Sequence, residues 1–198
     1  MNSFANALSR PRLVLALLAA VSIGAASAAQ AAVINYYVNL NGPSESPVNA
    51  SPGIGTATVD IDPVAHTMHI HLVFSGLTGA TTASHIHAAT TVAFTGTAGV
   101  ATTTPYFAGF PIGVTSGSYD NTLDLTQATS YNPSYVAAHG GTTAQAEIDL
   151  LAAIAAGKAY LNVHTQAFTG GEIRGFLSTD PSTPAETVTW GRLRNLYR

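Results

Sequence analysis

The chain has 198 residues, a length that fits one compact domain plus a targeting segment. Hydrophobic residues make up 46 % and charged residues 9 %, which excludes charge-driven disorder and leaves enough apolar surface for a core. Seven Lys and Arg against ten Asp and Glu offer no cationic stripe for phosphates, which disfavours nucleic acid as a partner. The absence of cysteine excludes disulfides, thiolate catalysis, iron-sulfur clusters and Cys-type zinc sites.

Residues 1–31 run from a polar start with Arg10 and Arg12, through an apolar stretch from Leu13 to Ala26, to the small residues Ala26-Ser27-Ala28-Ala29-Gln30-Ala31. That order predicts a cleavable secretory signal, cut after Ala28 or Ala31, because the apolar stretch is short of the ~20 residues a spanning helix needs. No later stretch is apolar enough to cross a bilayer as a helix. The expectation is a secreted or periplasmic protein of bacterial type. Loss of Arg10 and Arg12 with the signal would leave five basic residues against ten acidic ones.

A domain is expected over 32–178. The segments Val33 to Leu40, Gly55 to Ile61, Thr67 to Phe74, Ala83 to Ala88 and Ala159 to Thr165 alternate or run apolar over strand lengths, and Gly, Pro, Asn and Thr break them. This predicts an all-β, antiparallel, Greek-key-like sandwich or barrel. Asp60 and Asp62 flank Ile61 and suggest a solvated edge ending at Pro63. Thr90 to Gly117 lacks periodicity and reads as a long loop with one strand at most. Thr143 to Ala156 is the one strong helical segment, a crossover helix with Ile148, Leu151, Ala152 and Ala155 on one face and Gly157 as its stop. Beyond it, 179–198 form a Pro-containing linker and a basic, aromatic tail (Trp190, Arg192, Arg194, Tyr197, Arg198). The tail is either an envelope-associating element or a partly ordered end.

Five of the seven histidines, His66, His69, His71, His85 and His87, fall within one short stretch. Side chains alternate along a strand, so His69 and His71 share a face, as do His85 and His87. The turn-rich Ser75-Gly76-Leu77-Thr78-Gly79-Ala80 between them predicts a hairpin that gathers all four imidazoles on one patch. Imidazoles without thiolates suit copper first and zinc second, whereas calcium and magnesium need oxygen cages. The other reading is a solvated strand face lined with histidine. His66 and His139 lack comparable spacing and read as surface residues.

Around His164, Tyr160, Asn162 and His164 alternate with Leu161 and Val163. After the turn at Gly170-Gly171, Glu172, Arg174 and Phe176 alternate with Ile173 and Leu177. Glu172 and Asn162 are therefore candidates to orient His164 from outside the coordination shell, the alternative being a plain Glu172–Arg174 ion pair. No nucleophile elbow, phosphate loop or dinucleotide fingerprint is present.

The blocks Ser75-Gly76-Leu77 leading to Ala83-Ser84-His85-Ile86-His87, and Tyr160-Leu161-Asn162-Val163-His164-Thr165 with Gly170-Gly171-Glu172-Ile173-Arg174-Gly175-Phe176-Leu177, resemble the CHRD domain, found in chordin and in secreted bacterial proteins. The resemblance spans roughly Val33 to Leu177 and implies an extracellular role. In chordin the domain sits in a growth-factor-binding protein, so a protein partner is one expectation. The order of these blocks also has a distant likeness in layout to copper-zinc superoxide dismutase. That likeness implies copper at His85, His87 and His164, and Arg174 as an anion guide if the protein were dismutase-like. It lacks the bridging histidine, the zinc loop and the disulfide. Three functions follow: a copper-binding β protein holding its ion at His85, His87 and His164 with help from His71; a non-enzymatic extracellular binding or structural module; and a dismutase-like redox enzyme.

Overall fold

The computed structural model describes residues 32–180. The segment 1–31, where a signal is expected, and the part of the expected tail beyond 180 lie outside the described residues. Among the described residues seven strands form one antiparallel sheet curled into a half-barrel: β1 (Ile34–Asn41), β2 (Ile54–Asp62), β3 (Thr67–Ser75), β4 (Thr81–His87), β5 (Gly117–Asp124), β6 (Tyr160–Thr165) and β7 (Ile173–Phe176), in the order β4-β6-β7-β1-β2-β3-β5. The all-β antiparallel expectation holds.

The strands form because apolar residues recur at every second position and so line one face. Val38 and Leu40 of β1, Val59 and Ile61 of β2, Met68, Ile70 and Leu72 of β3, Ile86 of β4, and Leu161 and Val163 of β6 make one core. Two helices, α1 (Pro133–Ala138) and α2 (Thr143–Ala155), connect β5 to β6 and add Tyr135, Ala146, Leu150, Ala153 and Ile154 to it.

α2 falls where the helical segment is expected, but it buries a different face. The stripe is Ala146, Leu150, Ala153 and Ile154, while Ile148 is 60 % exposed. Small alanines set this face, and the bulk of Ile148 misleads a reading weighted by size. Glu147 joins the buried side because its carboxylate meets His66 Nδ1 at 2.9 Å. Gly157 ends α2 at φ +67°, with Gly157 N–H donating to Ile154 O and Lys158 N–H to Ala153 O, the paired closure that favours glycine.

One strand escapes the sequence reading, and one further expectation is corrected. β5 was not legible as a strand: in GSYDNTLD only Tyr119 and Leu123 point inward, and Asn121 interrupts the alternation between them. The Asp60–Asp62 strand is no edge either, since β2 pairs with β1 on one side and β3 on the other.

The loop 88–116 contains isolated bridges only. It runs along the free side of β4, with Ala101 N–H bonding Ile86 O and Phe107 N–H bonding Ser84 O, and it sends Phe107 and Phe110 into the core against Tyr119 and Phe74.

Gly175 sits where β7 lies closely beside its sheet neighbour β1. A Cβ there would collide with the Asn39 carbonyl, which is backbone and cannot rotate away. Gly175→Ala is expected to lower stability by about 1–3 kcal/mol, read as a lower denaturant midpoint at unchanged slope.

Candidate metal centre

β4 and β6 are neighbours, with His85 opposite Asn162 and Ala83 opposite His164. Ile86, Leu161 and Val163 take the core face, so His85, His87 and His164 project from the other face of the same two strands. That face is covered as well. The Ser44–Ser46 turn, loop residues 94–98 and the turn after β6 lie over it, tied down by hydrogen bonds to Arg174, His87 and His164.

The three rings converge. One nitrogen of each lies within 4.8 Å of the others, and the ring centroids of His85 stand 4.8 Å from those of both His87 and His164. His87 Nδ1–H donates to Ala98 O at 2.8 Å and His164 Nδ1–H to Thr169 O at 2.9 Å. A carbonyl only accepts, so both rings carry the proton on Nδ1 and turn an Nε2 lone pair to the cluster. The buried Nε2 atoms of His87 and His164 and Nδ1 of His85 have no hydrogen-bond partner among the described residues.

The electrostatics favour the neutral form. Burial, then the neighbouring His87 and His164, push His85 down to about 3. Burial drives His87 to about 4 against the opposing pull of the Ala98 carbonyl, and burial lowers His164 too. Neutral rings with free lone pairs are what a metal ion requires.

Tyr160 stacks on His87 at 4.6 Å between centroids, and the Arg174 guanidinium lies 4.7 Å above Tyr160. Arg174 is buried. It donates to the Ser44 and Gly96 carbonyls and lies 3.8 Å from Glu45, so it is committed to holding two loops and is not presented to solvent as an anion guide. Glu45 accepts from Asn162 Nδ2 at 2.6 Å, and burial pushes its carboxyl up to about 7, moderated by Arg174.

Several expected partners lie elsewhere. β3 and β4 do not pair: β3 lies between β2 and β5, so His69 and His71 are across the sheet from the trio. The Ser75–Ala80 segment does not close a hairpin because its polar groups are claimed by distant ones. Leu77 N–H bonds Thr115 O, and Thr78 and Gly79 N–H bond the Glu172 carboxylate. His71 instead meets Asp120 at 2.8 Å. Glu172 lies outside β7, and its carboxylate accepts from Ser51 and Thr165 hydroxyls at 2.6 Å each, not from His164 or Arg174. Asn162 keeps to the histidine face but serves Glu45. The carbonyls of Ala98 and Thr169, which orient two of the rings, had no signal in the sequence, since any residue supplies a carbonyl.

His66 and His139 are at the periphery, with His139 stacked on Tyr135 at 3.9 Å. Among the described residues no helix is long and apolar enough to cross a membrane.

Comparison with curated proteins and with solved structures yields no match, so no relative supplies a cofactor or a likeness to superoxide dismutase. The CHRD domain profile matches residues 36–177, which takes in β1 from Tyr36 onward, the other six described strands, both helices and all three converging histidines. The chain therefore belongs to the CHRD domain family.

Proposed function

We propose that this CHRD domain is an exported metal-binding protein that holds one copper ion on His85, His87 and His164. The observation that carries the reading is three histidines that each bring a ring nitrogen within 4.8 Å of the others, and that each keep one buried ring nitrogen without a hydrogen-bond partner. An unsatisfied buried polar atom costs about 1–3 kcal/mol, and three such atoms facing one point are hard to explain as packing alone. A cation accepts all three lone pairs at once.

The donor set argues for the metal. It contains neither thiolate nor carboxylate, which suits borderline ions, and among divalent ions imidazole sites bind copper most strongly, with zinc the alternative. The outer contacts fit as well, because a ring whose Nδ1–H is held by a carbonyl is fixed in orientation and made a better donor. Export rests on the order of residues in 1–31.

The purified chain is expected to take up about one copper per chain, with binding in the range of buried imidazole sites. His85→Ala combined with His87→Ala abolishes that uptake, and His164→Gln, which removes one donor while keeping polarity, weakens it at least tenfold by competition with a chelator. Unchanged uptake in a folded His164→Gln protein would remove the proposal.

A further inference from the structure

The second histidine pair has chemistry of its own. His69 and His71 project from the face of β3 opposite Ile70, towards solvent, with side chains 38 % and 46 % exposed. Both reach the same carboxylate on β5: His69 Nε2 is 2.9 Å from Asp120 Oδ1 and His71 Nδ1 is 2.8 Å from Oδ2. On the other side, Asp60 of β2 stands directly across from His69, with Oδ2 3.8 Å from its Nδ1. Asp60 is itself oriented by Asn35, whose Nδ2 donates to Oδ1 at 2.7 Å.

His69 thus has a carboxylate facing each ring nitrogen, and a neutral imidazole has only one N–H to give. The other nitrogen then turns a lone pair towards a negative oxygen, an arrangement that a cation between them makes favourable. No fixed side-chain charge fills that role: among the described residues the lysine and arginine are Lys158 and Arg174, and Arg174 is buried at the trio. Asp120 is met by the two imidazoles, and Asp60 by His69 and the neutral Asn35 amide, so no cationic side chain balances either carboxylate.

From this geometry we infer that Asp60, His69, His71 and Asp120 form a second, solvent-accessible site for a divalent cation of the zinc class. Two imidazoles with carboxylates are a common zinc donor set, and they differ from the all-imidazole trio in charge. Strands β2, β3 and β5 are paired along their lengths, so the four side chains start from a fixed spacing. The exposed rings turn locally to close on the ion. Exposure makes this equivalent exchangeable, in contrast to the covered trio. The site stands independently of the copper centre.

The test is zinc titration of the purified chain at pH 8, read by stoichiometry and by the ring-proton resonances of the histidines. The expected result is an exchangeable equivalent that moves the His69 and His71 resonances. It is absent in the His69→Gln/His71→Gln variant, weakened at least tenfold in Asp120→Asn, and retained in His85→Gln/His87→Gln. A wild-type chain that binds one equivalent, lost only in His69→Gln/His71→Gln, would support this site while removing the trio. Zinc at millimolar concentration that leaves both resonances in place, or a His69→Gln/His71→Gln chain that binds as much as wild type, would overturn it.

Discussion

Glu172→Ala is expected to cost about 4 kcal/mol, the largest loss from any single change outside the apolar core. The side chain is fully buried, and its two oxygens accept four hydrogen bonds, from Ser51 Oγ and Thr78 N–H on one and from Thr165 Oγ1 and Gly79 N–H on the other. Burial alone would raise its pKa, but those donors outweigh it and hold the carboxyl below its ordinary value. Alanine leaves the donors without an acceptor and opens a void. For a domain of this size the loss corresponds to a fall in Tm of roughly 8–16 °C. Glu172→Gln is the sharper probe: its amide nitrogen would face the Gly79 N–H, donor against donor, so a loss of about 2 kcal/mol is expected even with the shape kept. Denaturant unfolding at pH 7 measures both, and a Glu172→Gln protein as stable as wild type would show that the charge is not needed to join the Ser51, Thr78 and Thr165 segments.

The second large effect is with pH. In the metal-free chain, His85 and His87 are neutral when folded, with pKa values near 3 and 4, against the ordinary 6.5 that each regains on unfolding. The unfolded chain therefore binds more protons as the pH falls through 6.5, and stability is fully present above that value and lost below it. By pH 5 each ring withdraws roughly 2 kcal/mol, and His164 acts in the same direction. Glu45 opposes them. Its folded pKa is raised to about 7, so acidification to pH 5 returns roughly 2–3 kcal/mol. Before the added share of His164, the net expectation is a loss of about 1–2 kcal/mol between pH 8 and pH 5. Glu45→Gln removes the opposing group and steepens that loss to about 4 kcal/mol. Urea midpoints at the two pH values measure both slopes, and a Glu45→Gln chain with the same or a shallower acid loss would refute the assignment. If the trio holds copper as proposed, loading is expected to steepen the wild-type curve further, because ion and proton compete for the same lone pairs.

Much of this was legible in residue order, and the limits have physical causes. β1, β2, β3, β4 and β6 declare themselves because their apolar residues alternate against a solvated or polar face. β5 does not, because Asn121 stands between its two inward residues, and long-range pairing with β3 places it where local preference alone would not. His85, His87 and His164 share the histidine face through alternation that any strand would impose. Bringing them together took the β4–β6 pairing, between segments over seventy residues apart, and local pattern carries no term for that. The hairpin between His71 and His85 failed for the same reason. A short, turn-rich linker permits a hairpin but does not require one, and here Glu172 claims its amides. Glu172 and Arg174 also show how alternation misleads at a strand end: one residue before β7 begins, the chain has already turned the carboxylate away from the histidines.

The β4–β6 pairing also has a kinetic consequence. β2 meets β1 and β3 through short connections, whereas β4 waits for a strand on the far side of the loop, β5 and both helices. Ring closure over that distance is among the last entropic costs met during folding. The imidazole trio is thus expected to assemble after the β1–β2–β3 pairings, and an ion held there as proposed would lock the folded chain without nucleating it.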